Sequence, residues 1–188
     1  MGLIFPNFPL RGSLAFLVFF SISWGMTQAA EEAFPPTPPG EIEIKELPSG
    51  LLLESASAEP YFTSSNRLFR PLFRYISDRG IAMTTPVEAR MDPGRMYFWI
   101  SQDQVDQVDG DTESVRVIEM PARMVVSAGA SGSYSESNFR RTRERLLAWL
   151  DKQDASDAIG EPYGVYWNGP FTLWFLKRYE VQVEVVLR

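Results

Sequence analysis

Two segments of the chain, "IKELPSGLLLES" (44–55) and "VIEMPARMVVSA" (117–128), align without a gap at an offset of 73 residues. Glu46, Leu47 and Pro48 match Glu119, Met120 and Pro121, and the apolar triplet Leu51–Leu53 matches Met124–Val126. Each segment reads as two short strands joined at a proline turn. A helix pattern follows in each half, over 65–77 and 137–151. Two more strand patterns follow each helix: 81–90 with 96–100, then 163–167 with 179–187. The fold class expected is α+β, a duplicated β-β-α-β-β module forming a distorted antiparallel β-barrel with two flanking helices.

The first helix pattern, "NRLFRPLFRYI", places Leu68, Phe69, Leu72, Phe73 and Ile76 on one stripe, with Arg67, Arg70 and Arg74 beside it. Pro71 either kinks this helix or begins it. Arginines at the edge of an aromatic stripe suit a flat apolar ligand that carries carboxylates. In the second helix Phe139, Leu146, Leu147 and Leu150 form the buried face. Arg140, Arg141, Arg143 and Arg145 surround Glu144 there as a solvated charged face. The segment "PYGVYWNGPFTLWFL" (162–176) crowds six aromatic residues around Gly164, Gly169 and Pro170. Some of these rings must lie on a loop, as a lid over the core or as a binding surface.

Composition narrows the chemistry. The chain has no His and no Cys among 188 residues, which removes disulfides, thiolate nucleophiles, Ser-His triads and the commonest zinc and haem ligand. No nucleophile–base pair stands out, so a binding or structural role is expected rather than an enzyme. The formal charge of −6 argues against a nucleic-acid partner. The acidic run "SQDQVDQVDGDTE" (101–113) lacks the spacing of a calcium loop and reads as a solvated hairpin loop.

The first 29 residues have one basic residue, Arg11, then an apolar run from Leu14 to Trp24 and small residues at Ala29 and Ala30. This is the order of a secretory signal, followed by a proline-rich exposed tether over 30–40 and a folded domain over 41–188. A periplasmic or secreted protein with no membrane span after cleavage is expected. An uncleaved N-terminal anchor is the alternative.

The stretch "RYISDRGIAMTTPVEARM", with "MYFWI" after it, "YGVYWNGPF" and the closing "RYEVQVEV", resembles the SOUL haem-binding family in order and spacing from about Glu41 onward. Gly80 provides a tight reversal, Thr84 and Thr85 favour strand, and Pro86 belongs at an edge or bulge. The resemblance implies a two-halved barrel with outer helices that binds haem or other tetrapyrroles without catalysis. It also implies an apolar groove between the first helix and the late loop; the ligand contacts expected there are Phe69, Phe73, Arg74, Tyr166, Trp167, Phe171 and Trp174, with Arg70 added on helix geometry alone. Arg74 matches a basic helix position of the family that faces the propionates. Haem would be bound non-covalently, and without His its iron would be ligated by Met83 or Tyr166 or left without an axial ligand. The alternative is an interaction module that docks a protein segment in the same groove.

N-terminal sequencing of the mature protein is expected to begin at Ala30 or Glu31, and an intact Met1 in the membrane fraction would overturn the signal reading.

Overall fold

A computed structural model describes residues 31–153, 156–169 and 171–188. The signal segment 1–29 lies outside the described residues. Eight strands and two helices follow in the order β1 (Ile42–Leu47), β2 (Gly50–Ala56), α1 (Tyr61–Asp78), β3 (Val87–Arg90), β4 (Arg95–Ile100), β5 (Arg116–Met120), β6 (Arg123–Ser131), α2 (Glu136–Leu150), β7 (Ser156–Tyr166) and β8 (Arg178–Leu187). All eight strands pair antiparallel in one sheet, ordered β1-β6-β8-β7-β3-β4-β2-β5.

That order forces the sheet to curl. Strands β1 and β2 are joined by Pro48 and Ser49 alone, yet β1 is the first strand of the sheet and β2 the seventh. In a flat sheet they would lie about 29 Å apart, at about 4.8 Å per strand. The three Cα steps from Leu47 to Gly50 span at most about 11 Å. The Pro121-Ala122 link between β5 and β6 imposes the same constraint from the other edge. The proline turns are therefore not hairpins: β1 pairs with β6, and β5 with β2. Exchanging each strand with its counterpart in the other half reproduces the sheet order read backwards. Element order alone does not make the halves copies of one another.

The curled sheet has two different faces. On its outer face Leu53, Phe98, Ile100, Val126, Val181 and Val183 are buried beneath the helices. Helix α1 presents Leu68, Leu72, Tyr75 and Ile76 to this layer, and α2 presents Phe139, Leu146 and Leu150. Each such side chain contributes roughly 2 kcal/mol by leaving water. Helix α1 begins four residues earlier than its sequence pattern, because Tyr61 and Phe62 are held by tertiary contacts that local propensity does not report. Tyr61 stacks on Tyr166, Phe62 packs on Phe139, and Tyr61 N–H donates to Met91 O at 2.8 Å. Pro71 is thus internal to the helix. The helix ends as a Schellman turn: Gly80 takes φ +68°, its N–H reaches Ser77 O, and Ile81 N–H reaches Ile76 O at 2.9 Å.

The inner face mixes an apolar cluster, including Leu52, Trp99, Val125 and Trp167, with polar side chains that are also buried. Glu180 and Gln182 are fully enclosed. The Glu180 carboxylate accepts from Thr37 N–H (2.7 Å), Trp167 Nε1 (2.8 Å), Ser127 Oγ (2.6 Å), Gln182 Nε2 (2.6 Å) and Lys45 Nζ (3.0 Å). Glu88, also buried, accepts from Trp99 Nε1 at 2.9 Å and from Arg123 Nη2 at 2.9 and 3.1 Å. Saturation with donors and a cation is what permits a carboxylate in such a place.

Residues 31–40 close this interior, which corrects the expectation of an exposed tether. Phe34 is buried between Trp99 and Trp167, with ring centroids 5.6 and 5.3 Å away. Thr37 is buried against Ser127 and Glu180. Gly129 lets the strap approach, since a Cβ there would stand 2.2 Å from Pro38 O. The junction 81–87 supports the strap in turn. Thr85 N–H donates to Glu31 O and Thr85 O accepts from Ala33 N–H, while Thr84 Oγ1 donates to Trp99 O. Strand β3 is central and shorter than the 81–90 pattern, with Pro86 just before its first residue rather than at an edge. There its missing N–H costs no ladder bond.

Phe34→Ala is expected to lower the unfolding free energy by about 3 kcal/mol, measured by denaturant melts, where an exposed tether would give no change. Phe171→Ala, at a residue 98% exposed, is the control and should stay within about 0.5 kcal/mol.

Candidate ligand-binding cleft

The eight residues expected to form a groove fall into different places. Phe69 and Phe73 stack on each other at 5.5 Å on α1, and Phe69 also packs edge-on against Phe98. Phe73 is exposed, as are Arg70 and Arg74. Tyr166 is buried in the outer core, and Trp167 in the inner cluster, where it bonds Glu180. Phe171 and Trp174 stand exposed on the loop after β7. No ring contact joins Phe69 or Phe73 to the loop set among the described residues.

A concavity does open beside the first helix and a late segment, at the other end of both. Two adjoining clefts, about 560 and 470 Å³, share Met91, Asp92, Phe139 and Arg143. The first turn of α1 lines them with Pro60, Phe62 and Thr63, the β3–β4 turn with Met91 and Pro93, α2 with Phe139, and β7 with Pro162. Each cleft is within the range of small-molecule sites. The β3–β4 turn is held in position by Gly94, whose N–H donates to Glu59 O at 2.9 Å and whose absent Cβ would lie 2.6 Å from that oxygen.

Four arginines rim the apolar floor. Arg90 is paired with Glu184 and Arg95 with the buried Glu54, both at 2.7 Å. Arg140 holds Glu136 across one helical turn, and both are exposed. Arg143 meets the 86%-exposed Glu161 at 3.3 Å. The latter two pairs are worth little in water, so Arg140 and Arg143 can exchange their partners for a ligand carboxylate. Arg140 and Arg143 of the second helix, expected to be merely solvated, supply half of this rim. No periodicity signals it, because the floor comes from three elements that meet only in the fold.

Behind Met91 lies a layer of tyrosines. Tyr166 stacks on Tyr61 at 5.8 Å and meets Tyr134 at 4.5 Å, while Tyr179 Oη lies 2.9 Å from Thr142 Oγ1. A Cβ on Gly164 would stand 2.8 Å from Tyr166 Oη and 3.1 Å from Met91 Cε, so the glycine makes room for both. The Tyr166 hydroxyl is buried without a hydrogen-bond partner among the described residues. Burial, reinforced by Tyr61, pushes its phenol well above the ordinary value. Burial also raises Tyr61, with Tyr134 adding to it, and pushes Tyr134 up to about 12.

These residues fit part of a haem. The apolar floor suits the porphyrin faces, and Arg140 and Arg143 suit the propionates. A strong axial ligand is another matter. Tyr166 is kept neutral and enclosed, whereas iron ligation wants a phenolate, and Met83 is packed against the core. Met91 places the one sulfur at the cleft. No cluster of three or more His, Cys, Asp or Glu is positioned for a metal ion among the described residues. No helix among them is long and apolar enough to cross a membrane.

Fold and cleft together define an α+β protein with a curled antiparallel sheet and a ligand-sized groove between its outer helices. The model of the family described as SOUL heme-binding protein matches residues 37–184, and the chain belongs to that family. No curated protein matches it in sequence. Among solved structures, the chain is similar to the EcmrR C-terminal domain (TM-score 0.61, 16% identity, covering 78% of this chain and 97% of that one). It is also similar to EcmrR in its DNA complex (TM-score 0.62, 16% identity, 77% of this chain), where it spans 57% of the other chain's length. A hydrolase from Listeria innocua has TM-score 0.53 at 12% identity, covering 80% and 94% of the two chains. At these identities the likeness is one of fold alone.

Removing the orphaned hydroxyl with Tyr166→Phe should leave stability unchanged or raise it by about 1 kcal/mol, read from denaturant melts. Because the phenols of Tyr61, Tyr134 and Tyr166 titrate higher in the folded state than the ordinary 10.0, their neutral forms contribute stability that is complete below about pH 10. That stability is lost as pH rises through the folded values. Melting temperature should therefore fall above about pH 10, and less steeply in Tyr166→Phe.

Proposed function

We propose that this protein is an exported, non-enzymatic carrier or sensor that binds haem, a porphyrin or a similar flat apolar molecule with carboxylates. The observation that carries the reading is the cleft floored by Phe62, Met91 and Phe139 and rimmed by Arg140 and Arg143, in a chain of the SOUL heme-binding protein family. The family supports tetrapyrrole binding, and the secretory pattern of residues 1–29 supports export. A chain without His or Cys favours binding over catalysis, because the usual general base and thiolate nucleophile are missing.

Affinity comes mainly from desolvating the ligand's faces, at about 25 cal/mol per Å² before ordering costs. The arginines orient the carboxylates at a wet rim and add less. The ligand lies against the first turn of α1 and the middle of α2, so the stacked Phe69 and Phe73 are spectators.

Haemin titration followed at the Soret band tests this. The wild type should give a saturable shift with a broad band, since no strong-field ligand pair lines the cleft. Phe62→Asp should raise Kd at least about tenfold, by putting a charge against the porphyrin face. Arg143→Ala should raise it about fivefold or less, and Phe73→Asp should leave it unchanged. No saturable shift at micromolar haemin would end the tetrapyrrole reading. Loss of binding in Phe73→Asp but not Phe62→Asp would move the site to the face of α1.

A further inference from the structure

Five of the nine large apolar side chains that the described molecule exposes occur within six consecutive residues: Phe171 at 98%, Leu173 at 58%, Trp174 at 67%, Phe175 at 55% and Leu176 at 58%. The other four, Ile44, Phe73, Ile159 and Val186, are scattered over different elements. A contiguous apolar patch of this kind in an otherwise well-buried protein calls for a partner.

The patch has a firm base. Trp167 N–H donates to Arg178 O, and Arg178 N–H to Asn168 Oδ1 at 2.6 Å. Asn168 N–H donates to Tyr134 Oη at 2.8 Å, and Gly132 N–H to Lys177 O at 2.9 Å. Above these bonds Trp174–Leu176 forms a 3-10 turn, Leu176 N–H reaches Leu173 O at 2.9 Å, and Trp174 and Phe175 pack edge to face. The rings are presented by an ordered turn, and Phe171 has almost no protein around it.

We propose that this tip inserts into the interfacial region of a lipid bilayer. Three observations select a bilayer over a protein groove. Apolar side chains more than half exposed, with Phe171 exposed almost entirely, suit a fluid medium that closes about them, and Trp, Phe and Leu are the residues that do this at membrane surfaces. Residues 167–179 contain no acid and carry Lys177 and Arg178, in a chain of net charge −6, so the tip has the local sign that anionic headgroups attract. The tip also stands at the end of the barrel where the described chain begins. Glu32 pairs with Thr85, which leads into β3 beside Tyr166, and Phe34 packs on Trp167. The apolar run Leu14–Trp24 ends seven residues before Glu31. If it is retained, run and tip address one membrane. If it is removed, the tip is the remaining contact. The exposed Glu31 and Glu32 at this end weaken the electrostatic pull, so the apolar insertion carries the binding and the basic pair orients it. The proposal does not depend on the identity of the cleft's ligand.

The test uses the protein as it is produced, with vesicles of phosphatidylethanolamine alone or mixed with phosphatidylglycerol, some bearing brominated acyl chains. Vesicle flotation and quenching of tryptophan emission are measured for wild type, Trp174→Phe, Leu173→Ser with Trp174→Ser, and Lys177→Gln. The quenching that Trp174→Phe abolishes reports Trp174 itself, whatever the fate of Trp24. Wild type should show that component, and the double variant should partition at least about tenfold less with an unchanged melting temperature. If residues 1–30 are retained and hold every variant on the vesicle, the Trp174-specific quenching decides alone. Lys177→Gln should weaken binding about fivefold on anionic vesicles only. Absence of Trp174-specific quenching on both vesicle types would overturn the proposal. So would a wild-type dimer that the double variant converts to a monomer without any vesicle binding, which would make the patch a contact between copies of the chain.

Discussion

Two dipeptide links, Pro48-Ser49 and Pro121-Ala122, hold the architecture in its curled form. Each joins strands that stand six places apart in the sheet, and neither can reach across a flat one. Once the sheet curls, its two faces cease to be equivalent. The outer face takes both helices and becomes an ordinary apolar core. The inner face is shut away from water although it carries Glu54, Glu88, Ser127, Glu180 and Gln182, and it must then satisfy them from within. Glu180 with its five donor residues, and Glu88 between Trp99 and Arg123, are the consequence.

The strap over 31–40 follows from the same geometry. A curled sheet closed by short links leaves an open end, and Phe34 fills it between Trp99 and Trp167 while Thr37 completes the shell of Glu180. The junction that carries much of the family resemblance is placed here, with Thr84 and Thr85 binding β4 and the strap. Its residues are scaffold. The surfaces proposed to be functional lie elsewhere: a cleft where α1, α2 and the β3–β4 turn meet, and an apolar tip beyond β7.

Much of the fold is legible in the chain. The order β-β-α-β-β twice over, the second helix (expected over 137–151, found at Glu136–Leu150) and the Gly80 reversal can all be read from local pattern, because periodicity and turn chemistry act over a few residues. The start of α1 is not legible. Tyr61-Phe62-Thr63-Ser64 is a weak helix sequence, made helical by contacts with Met91, Phe139 and Tyr166. The candidate cleft is not the groove expected between the first helix and the late loop with Arg70 and Arg74 at its mouth; Arg140 and Arg143 of α2 stand at its rim instead. The particular residues, Phe62, Met91, Phe139 and Arg143, come from separate elements and share no local period.

The sequence by itself determined the number and order of elements, the lack of His and Cys that narrows the chemistry, and the family. Those properties reside in composition and short-range spacing. Tertiary structure alone decided what the polar residues do. In "YEVQVEV" the alternation places Tyr179, Val181, Val183 and Val185 on the core side and Glu180 and Gln182 on the other, which a strand pattern assigns to solvent. Curling buried them instead. The same closure drew the proline-rich segment 31–40 inward rather than leaving it free, while the apolar run 171–176, which the sequence alone leaves as either a lid over the core or an outward surface, stands outside, with no described element covering it. Which side of a strand meets water depends on where the rest of the chain goes, and that is a long-range property no local pattern encodes.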